Sequence, residues 1–126
     1  MTVTPLGVDH VSINVPDVPA AIDFYTNVLG LVENHDRPEM GFAGAWLNVG
    51  DGGQQVHILG FPTPENKGQH FALLFEDLNA VVEELRAQGL QVSDPVKSGP
   101  NRHQSFLVDP WGNYIELHQN PRAGAA

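Results

Sequence analysis

The chain has 126 residues, 41% of them hydrophobic and 17% charged, which suits a single globular domain and excludes a disordered chain. A formal net charge of −9 with only six Lys and Arg argues against a nucleic-acid or anionic-membrane partner. Without cysteine there is neither a disulfide framework nor thiolate metal ligation. No basic n-region precedes an apolar h-region, and no apolar run reaches membrane-spanning length, so a cytoplasmic location is expected. The acidity is compatible with a cationic ligand, although solubility alone accounts for it.

In chain order, Leu6 to Val15 alternates as a first strand, with Val11, Ile13 and Val15 on one face and His10, Ser12 and Asn14 on the other. Pro16 ends it and Asp17 can cap a helix whose apolar stripe is Ala21, Phe24, Tyr25, Val28 and Leu29, stopped by Gly30. The stretch Leu31 to Glu39 reads as a short strand running into a polar turn. Phe42 to Val49 and Gln54 to Leu59 form a hairpin around Asp51-Gly52-Gly53. A Pro/Gly-rich connector follows from Phe61 to Gly68.

The pattern then starts again. His70 to Phe75 is a strand, Asp77 caps a helix carrying Leu78, Val81, Val82 and Leu85, and Gly89 ends it. Leu90 to Val96 is predicted as a strand. The segment His103 to Gln119 is a hairpin reversed at Asp109-Pro110-Trp111-Gly112-Asn113, a stretch read as turn chemistry only. The tail from Pro121 is expected to fray. Superposing His10 on His70 places Asp17 on Asp77, while Gly30 and Gly89 miss by one position. Placing Asp51-Gly52 near Asp109-Pro110 brings His57 opposite Glu116. The chain is therefore an internal repeat: module one at 6–60, the connector at 61–68 and module two at 69–120.

The repeat puts His10 and His70 on the first strands and His57 and Glu116 on the last ones. Glu116 sits mid-strand with Tyr114 and His118 on its face, and a carboxylate there needs a cation or a donor to compensate it. Three imidazoles and a carboxylate suit Zn, Ni, Mn, Fe or Co rather than Ca or Cu(I). No local ligand spacing such as His-Glu-x-x-His occurs, so a site would have to be assembled from distant strands. Each residue also has a plainer reading: a hydrogen-bonded sheet histidine, or a carboxylate paired with arginine. His118 shares the face of Glu116, which allows it to line the pocket, but an exposed edge is the place expected; His35 and His103 are expected in solvent.

His-Val-Ser-Ile-Asn-Val-Pro-Asp (10–17), Ala-Ile-Asp-Phe-Tyr-Thr-Asn-Val-Leu-Gly-Leu (21–31), Gln-His-Phe-Ala-Leu (69–73) and Asp-Pro-Trp-Gly-Asn-Tyr-Ile-Glu-Leu (109–117) resemble the vicinal oxygen chelate superfamily. That group includes glyoxalase I, methylmalonyl-CoA epimerase, fosfomycin-resistance enzymes, extradiol dioxygenases and bleomycin-resistance proteins. The resemblance spans residues 6 to 120. It implies an α+β fold, a single glyoxalase-like domain over 1–126, in which two βαβββ modules form paired half-barrel sheets around a divalent metal. The ligands carried over are His10, His57, His70 and Glu116. His57 departs from the Glu or Gln commoner at that place in glyoxalase-like sequences.

On this frame, strand alternation directs Ser12, Trp46, Asn48, Gln55, Gln104, Phe106 and Tyr114 to the metal side, with Leu59, Ala72 and Leu74, forming a mixed lining for a small organic ligand. For Trp46 and Phe106, core packing is an equal alternative. The function expected is a metal-dependent lyase or isomerase of glyoxalase type, acting on a small chelating oxygenated substrate. Its metal would stabilise an enediolate or enolate while Glu116, ligand and catalytic base, moves the proton. The alternatives are an Fe(II) extradiol dioxygenase, whose open positions a ligating His57 would crowd, and a metal-free binding protein of the bleomycin-resistance kind. A fosfomycin-modifying transferase has only Ser12 in its favour. Arg37 and Arg102 are isolated candidates for a substrate anion. Exposed sheet edges, with the resemblance, predict a homodimer.

Overall fold

The computed structural model describes residues 2–121, and the expected fraying of the tail lies, from residue 122 on, outside them. The chain divides into two compact units, with the boundary between Pro64 and Glu65. In the first unit the elements are β1 (His10–Asn14), α1 (Val18–Asp23), a π-helical turn (Phe24–Val28), β2 (Val32–Asn34), β3 (Gly44–Val49) and β4 (Gln54–Leu59). The second unit has β5 (His70–Leu74), α2 (Leu78–Ala87), β6 (Val96–Gly99), β7 (Arg102–Val108) and β8 (Tyr114–Gln119). Each unit is thus a βαβββ module, as the repeat predicts.

The two sheets have the same topology. In the first the order is β1-β4-β3-β2, in the second β5-β8-β7-β6, and in both the first strand lies parallel to the last one. The remaining neighbours are antiparallel. Alternation then assigns the faces. Ala45, Leu47, Val56 and Ile58 are buried beneath the first sheet, and Leu107, Ile115 and Leu117 beneath the second. α1 lies against β3 and β4, and α2 against β7 and β8, so the helices cover these apolar faces. The opposite faces carry Trp46, His57 and Glu116.

Both helices begin in the same way. The Asp17 carboxylate accepts from the Ala20 backbone N–H and the Asp77 carboxylate from that of Ala80, each at 3.1 Å. They end at Gly30 and Gly89, whose φ values of +79° and +90° lie in the left-handed region that favours glycine. Between cap and stop the first module has one residue more than the second, which is the one-position slip seen in the repeat. The π-helical turn absorbs it: Leu29 N–H donates to the Phe24 carbonyl at 3.3 Å, five residues back, so one extra residue fits in the turn.

The strand expected at Leu90 to Val96 does not form. Among the described residues, 90–95 meet β7 through Ser93: its N–H donates to the Phe106 carbonyl at 3.0 Å, and Phe106 N–H donates to its Oγ at 2.8 Å. The serine hydroxyl thus replaces a ladder carbonyl, and Pro95 has no N–H to continue the ladder. Pairing resumes one step later in β6, with a register shift between Lys97 and Gly99. At the other end of β7 the reversal is built on Asp109. Its buried carboxylate accepts from Trp111 N–H at 2.9 Å, Asn113 N–H at 2.8 Å and Asn113 Nδ2 at 2.9 Å. This is the turn chemistry read from the sequence.

Candidate metal and substrate site

In the first unit, Trp46 on β3 and His57 on β4 are directly paired across the ladder, and His10 comes from the adjoining β1. Their rings form a ladder of their own. His57 stacks on His10 with centroids 3.8 Å apart and planes 12° apart, and on Trp46 at 5.0 Å and 11°. Side-chain amides fix the orientation of His57. Asn48 Oδ1 accepts from Gln55 Nε2 at 3.0 Å and from Asn34 Nδ2 at 3.2 Å. Gln55 therefore turns its oxygen to His57, whose Nε2–H donates to it at 2.8 Å. Nδ1 of His57 has no such bond among the described residues.

For His10 the polarity is reversed. Its Nδ1 lies 2.8 Å from the Asp9 carboxylate, which only accepts, so Nδ1 carries the hydrogen and Nε2 keeps a free lone pair. The pKa of His57 is lowered, first by burial, then by the neighbouring His10, with Arg37 adding to this and Asp9 opposing it. A neutral imidazole is the ligand-competent form.

A cavity of about 330 Å³ opens beside the stack, lined among others by His10, Ser12, Arg37, Phe42, Trp46 and His57. Arg37 lies over the Phe42 ring at 5.1 Å and donates to the Phe42 carbonyl at 2.9 Å. Among the described residues no carboxylate pairs with it. Gly44 makes room for it: a Cβ there would lie 2.8 Å from Arg37 Nη2 and 2.6 Å from the Ile58 carbonyl oxygen.

In the second unit Glu116 lies between Ala72 on β5 and Phe106 on β7, and the Phe106–Glu116 pairing is the one predicted for the hairpin. His70 reaches Glu116 diagonally, Nε2 to Oε1 at 3.3 Å. Its Nδ1 donates to the Gly68 carbonyl at 3.0 Å, so, as in His10, Nε2 is left as the free nitrogen. In the neutral ring two acceptor atoms, a nitrogen lone pair and a carboxylate oxygen, therefore face each other. A hydrogen on Nε2 or a shared cation would reconcile them. Nitrogen and oxygen donors such as these would suit a divalent transition metal. Among the described residues no three His, Asp or Glu side chains are gathered closely enough to hold a metal ion.

His118 departs from expectation. It is buried, not exposed at an edge, and its Nδ1 lies 2.7 Å from Glu116 Oε2. The two share a face two residues apart, a spacing legible in the sequence, but the depth of burial was not. Asp9, the partner of His10, was also passed over, although it adjoins that histidine. Of the other lining candidates, Ser12 borders the first cavity and is exposed, and Tyr114 is 43% exposed. Gln104 lies opposite His118, and the Phe106 ring meets that of His70 edge-on at 5.7 Å. His35 is exposed and His103 half-buried; Arg102 is half-buried near Gly99.

Duplicated βαβββ modules of this topology define a glyoxalase-like fold. The chain belongs to the Glyoxalase/Bleomycin resistance protein/Dioxygenase superfamily, whose family model matches residues 7–117. It is 34% identical to a probable lactoylglutathione lyase of Vibrio cholerae, over 92% of each chain. Among solved structures, the antibiotic-binding protein TnmS3 from Streptomyces sp. CB03234 matches with a TM-score of 0.80 and 26% identity, over 94% of this chain and 99% of that one. A fosfomycin resistance protein of Listeria monocytogenes, complexed with Mn(II), shares the fold with a TM-score of 0.75 at 16% identity, over 93% and 94% of the two chains. Relatives named lactoylglutathione lyase support an enzyme of the lyase or isomerase class. No helix of the described residues is long and apolar enough to cross a membrane.

Proposed function

We propose that the protein is a divalent-metal-dependent lyase or isomerase of glyoxalase type, with His10, His57, His70 and Glu116 as metal ligands. The observation that carries this reading is the approach of His70 Nε2 to Glu116 Oε1 at 3.3 Å, with His70 Nδ1 tied back to the Gly68 carbonyl. His10 supports it with the same tautomer, fixed by Asp9 as His70 is fixed by Gly68. His57 joins through Nδ1, its other nitrogen being engaged by Gln55. When bound, the metal supplies Lewis-acid polarisation of two substrate oxygens. Glu116 takes the proton from the substrate carbon and returns it to the neighbouring one. Trp46 and Phe106 limit water around the substrate, and Ser12 offers it a hydroxyl.

Arg37 points to the substrate class. A half-buried guanidinium without a carboxylate, in a chain of net charge −9, makes this cavity locally positive and suits a substrate that carries an anionic group. This counts against a cationic drug as the ligand. Arg37→Ala is expected to raise KM about 10- to 100-fold with kcat little changed, the loss of one charge-assisted hydrogen bond of about 1.5–3 kcal/mol. An unchanged KM for an anionic substrate would remove Arg37 from the site.

A homodimer completes the proposal. Leu74, Val96, Val108 and Tyr114 of the second unit are each between 43% and 53% exposed, apolar or aromatic surface that a second copy would cover. The modules that share a metal then belong to one chain or to two. Light scattering at micromolar concentration is expected to report twice the 13.7 kDa chain mass. A monomer alone would overturn the dimer.

A further inference from the structure

We propose that His118 is a positioning residue for Glu116, holding Oε2 so that Oε1 stays directed at His70. The inference rests on the metal-site reading above and adds to it a residue that is not itself a ligand. Three observations carry it. The Nδ1–Oε2 separation of 2.7 Å is the shortest polar contact Glu116 makes. Since the carboxylate only accepts, Nδ1 must carry the hydrogen that bridges them.

The third observation concerns the rest of the ring. His118 is 9% exposed, and its Nε2 is buried without a hydrogen-bond partner among the described residues. A histidine kept for hydrogen bonding within the fold would have both ring nitrogens engaged, and one kept for packing would serve no better than leucine. Among the described residues the polar partner of this side chain is Glu116.

The strand geometry explains why the contact matters. A glutamate has three side-chain torsions, and among the described residues the other polar group that meets this one, between Ala72 and Phe106, is His70. Residues two apart on a strand project from the same face, so β8 supplies the clamp and the ligand together. With Oε2 held, the carboxylate is preorganised to offer a single oxygen to a metal, and less rotamer entropy is lost when the metal binds.

Titration of the metal-free protein with cobalt(II) alone tests this without any assumption about substrate. His118→Leu is expected to weaken cobalt binding about 10- to 100-fold, the usual effect of removing an outer-shell partner. His118→Asn, whose amide still donates from the Nδ1 side, is expected to recover most of that loss. If His118→Leu binds like wild type while Glu116→Ala does not, the positioning role is wrong and the metal site stands. An Asn variant that is folded yet as weak as the Leu variant would also reduce His118 to packing. Failure of the wild type to bind cobalt would instead overturn the metal reading together with this inference. Should His118→Leu not fold, nitrogen NMR of the wild-type imidazoles decides. A hydrogen on Nδ1 of His118 supports the clamp, and a hydrogen on Nε2 with Nδ1 bare overturns it.

Discussion

Glu116→Ala will purify without bound metal from medium that loads the wild type, and His70→Ala will do the same. The prediction follows from the charges in the second unit. Glu116 is the carboxylate in the proposed set, so its loss removes both an oxygen donor and the negative charge that favours a divalent ion. The loss should exceed the 10- to 100-fold typical of an outer-shell partner and bring occupancy below detection by elemental analysis. His10→Ala should behave like His70→Ala, because both rings present Nε2 with Nδ1 tied back, to Asp9 and to the Gly68 carbonyl respectively. His57→Ala is expected to lose less. Its ring is held by Gln55 and stacked between His10 and Trp46, so part of its role is to support His10. Full occupancy in both Glu116→Ala and His10→Ala would mean that the ligands lie elsewhere.

Much of this arrangement could be read from residue order because the chain repeats itself. One pair of matching histidines would have carried little weight, but His10 with His70 and His57 with Glu116 fall at the same places in two copies of one topology. Strand alternation, once anchored by Phe106 opposite Glu116, assigned most faces correctly. It failed where side chains rather than periodicity determine the ladder. At residues 90–95 the pattern is apolar enough for a strand, yet Ser93 and Pro95 remove the backbone bonds that would make it one. Periodicity also assigns a face without assigning depth: it puts His118 on the face of Glu116 but does not decide between pocket and exposed edge, and the residue is buried on Glu116. The role of Arg37 depends on a close approach over Gly44 that no local pattern encodes.

Zinc or nickel will support turnover within about tenfold of iron, because the ion's task is to polarise oxygens rather than to change oxidation state. The argument is one of available positions. Four donors from the protein on a six-coordinate ion leave two, enough for the two oxygens of a chelating substrate but not for that substrate and dioxygen together. Glu116 then has to deliver the reaction by moving a proton, which leaves a signature independent of product identity. Hemithioacetals, 2-hydroxyketones and acyl-CoA epimers incubated in deuterated buffer should exchange the carbon-bound hydrogen with each of several reconstituted metals, and Glu116→Gln should abolish exchange. Catechols should show no oxygen uptake with any of them. Oxygen consumption restricted to iron, without exchange on any substrate, would establish the dioxygenase alternative and reduce the protein's ligand count to three. Tight binding of an aromatic ligand by the metal-free protein, with neither exchange nor oxygen uptake, would leave the cavity beside Trp46 and His57 as a binding site without catalysis. The lyase or isomerase reading requires exchange that survives replacement of iron by a redox-inert ion and disappears with the Glu116 carboxylate.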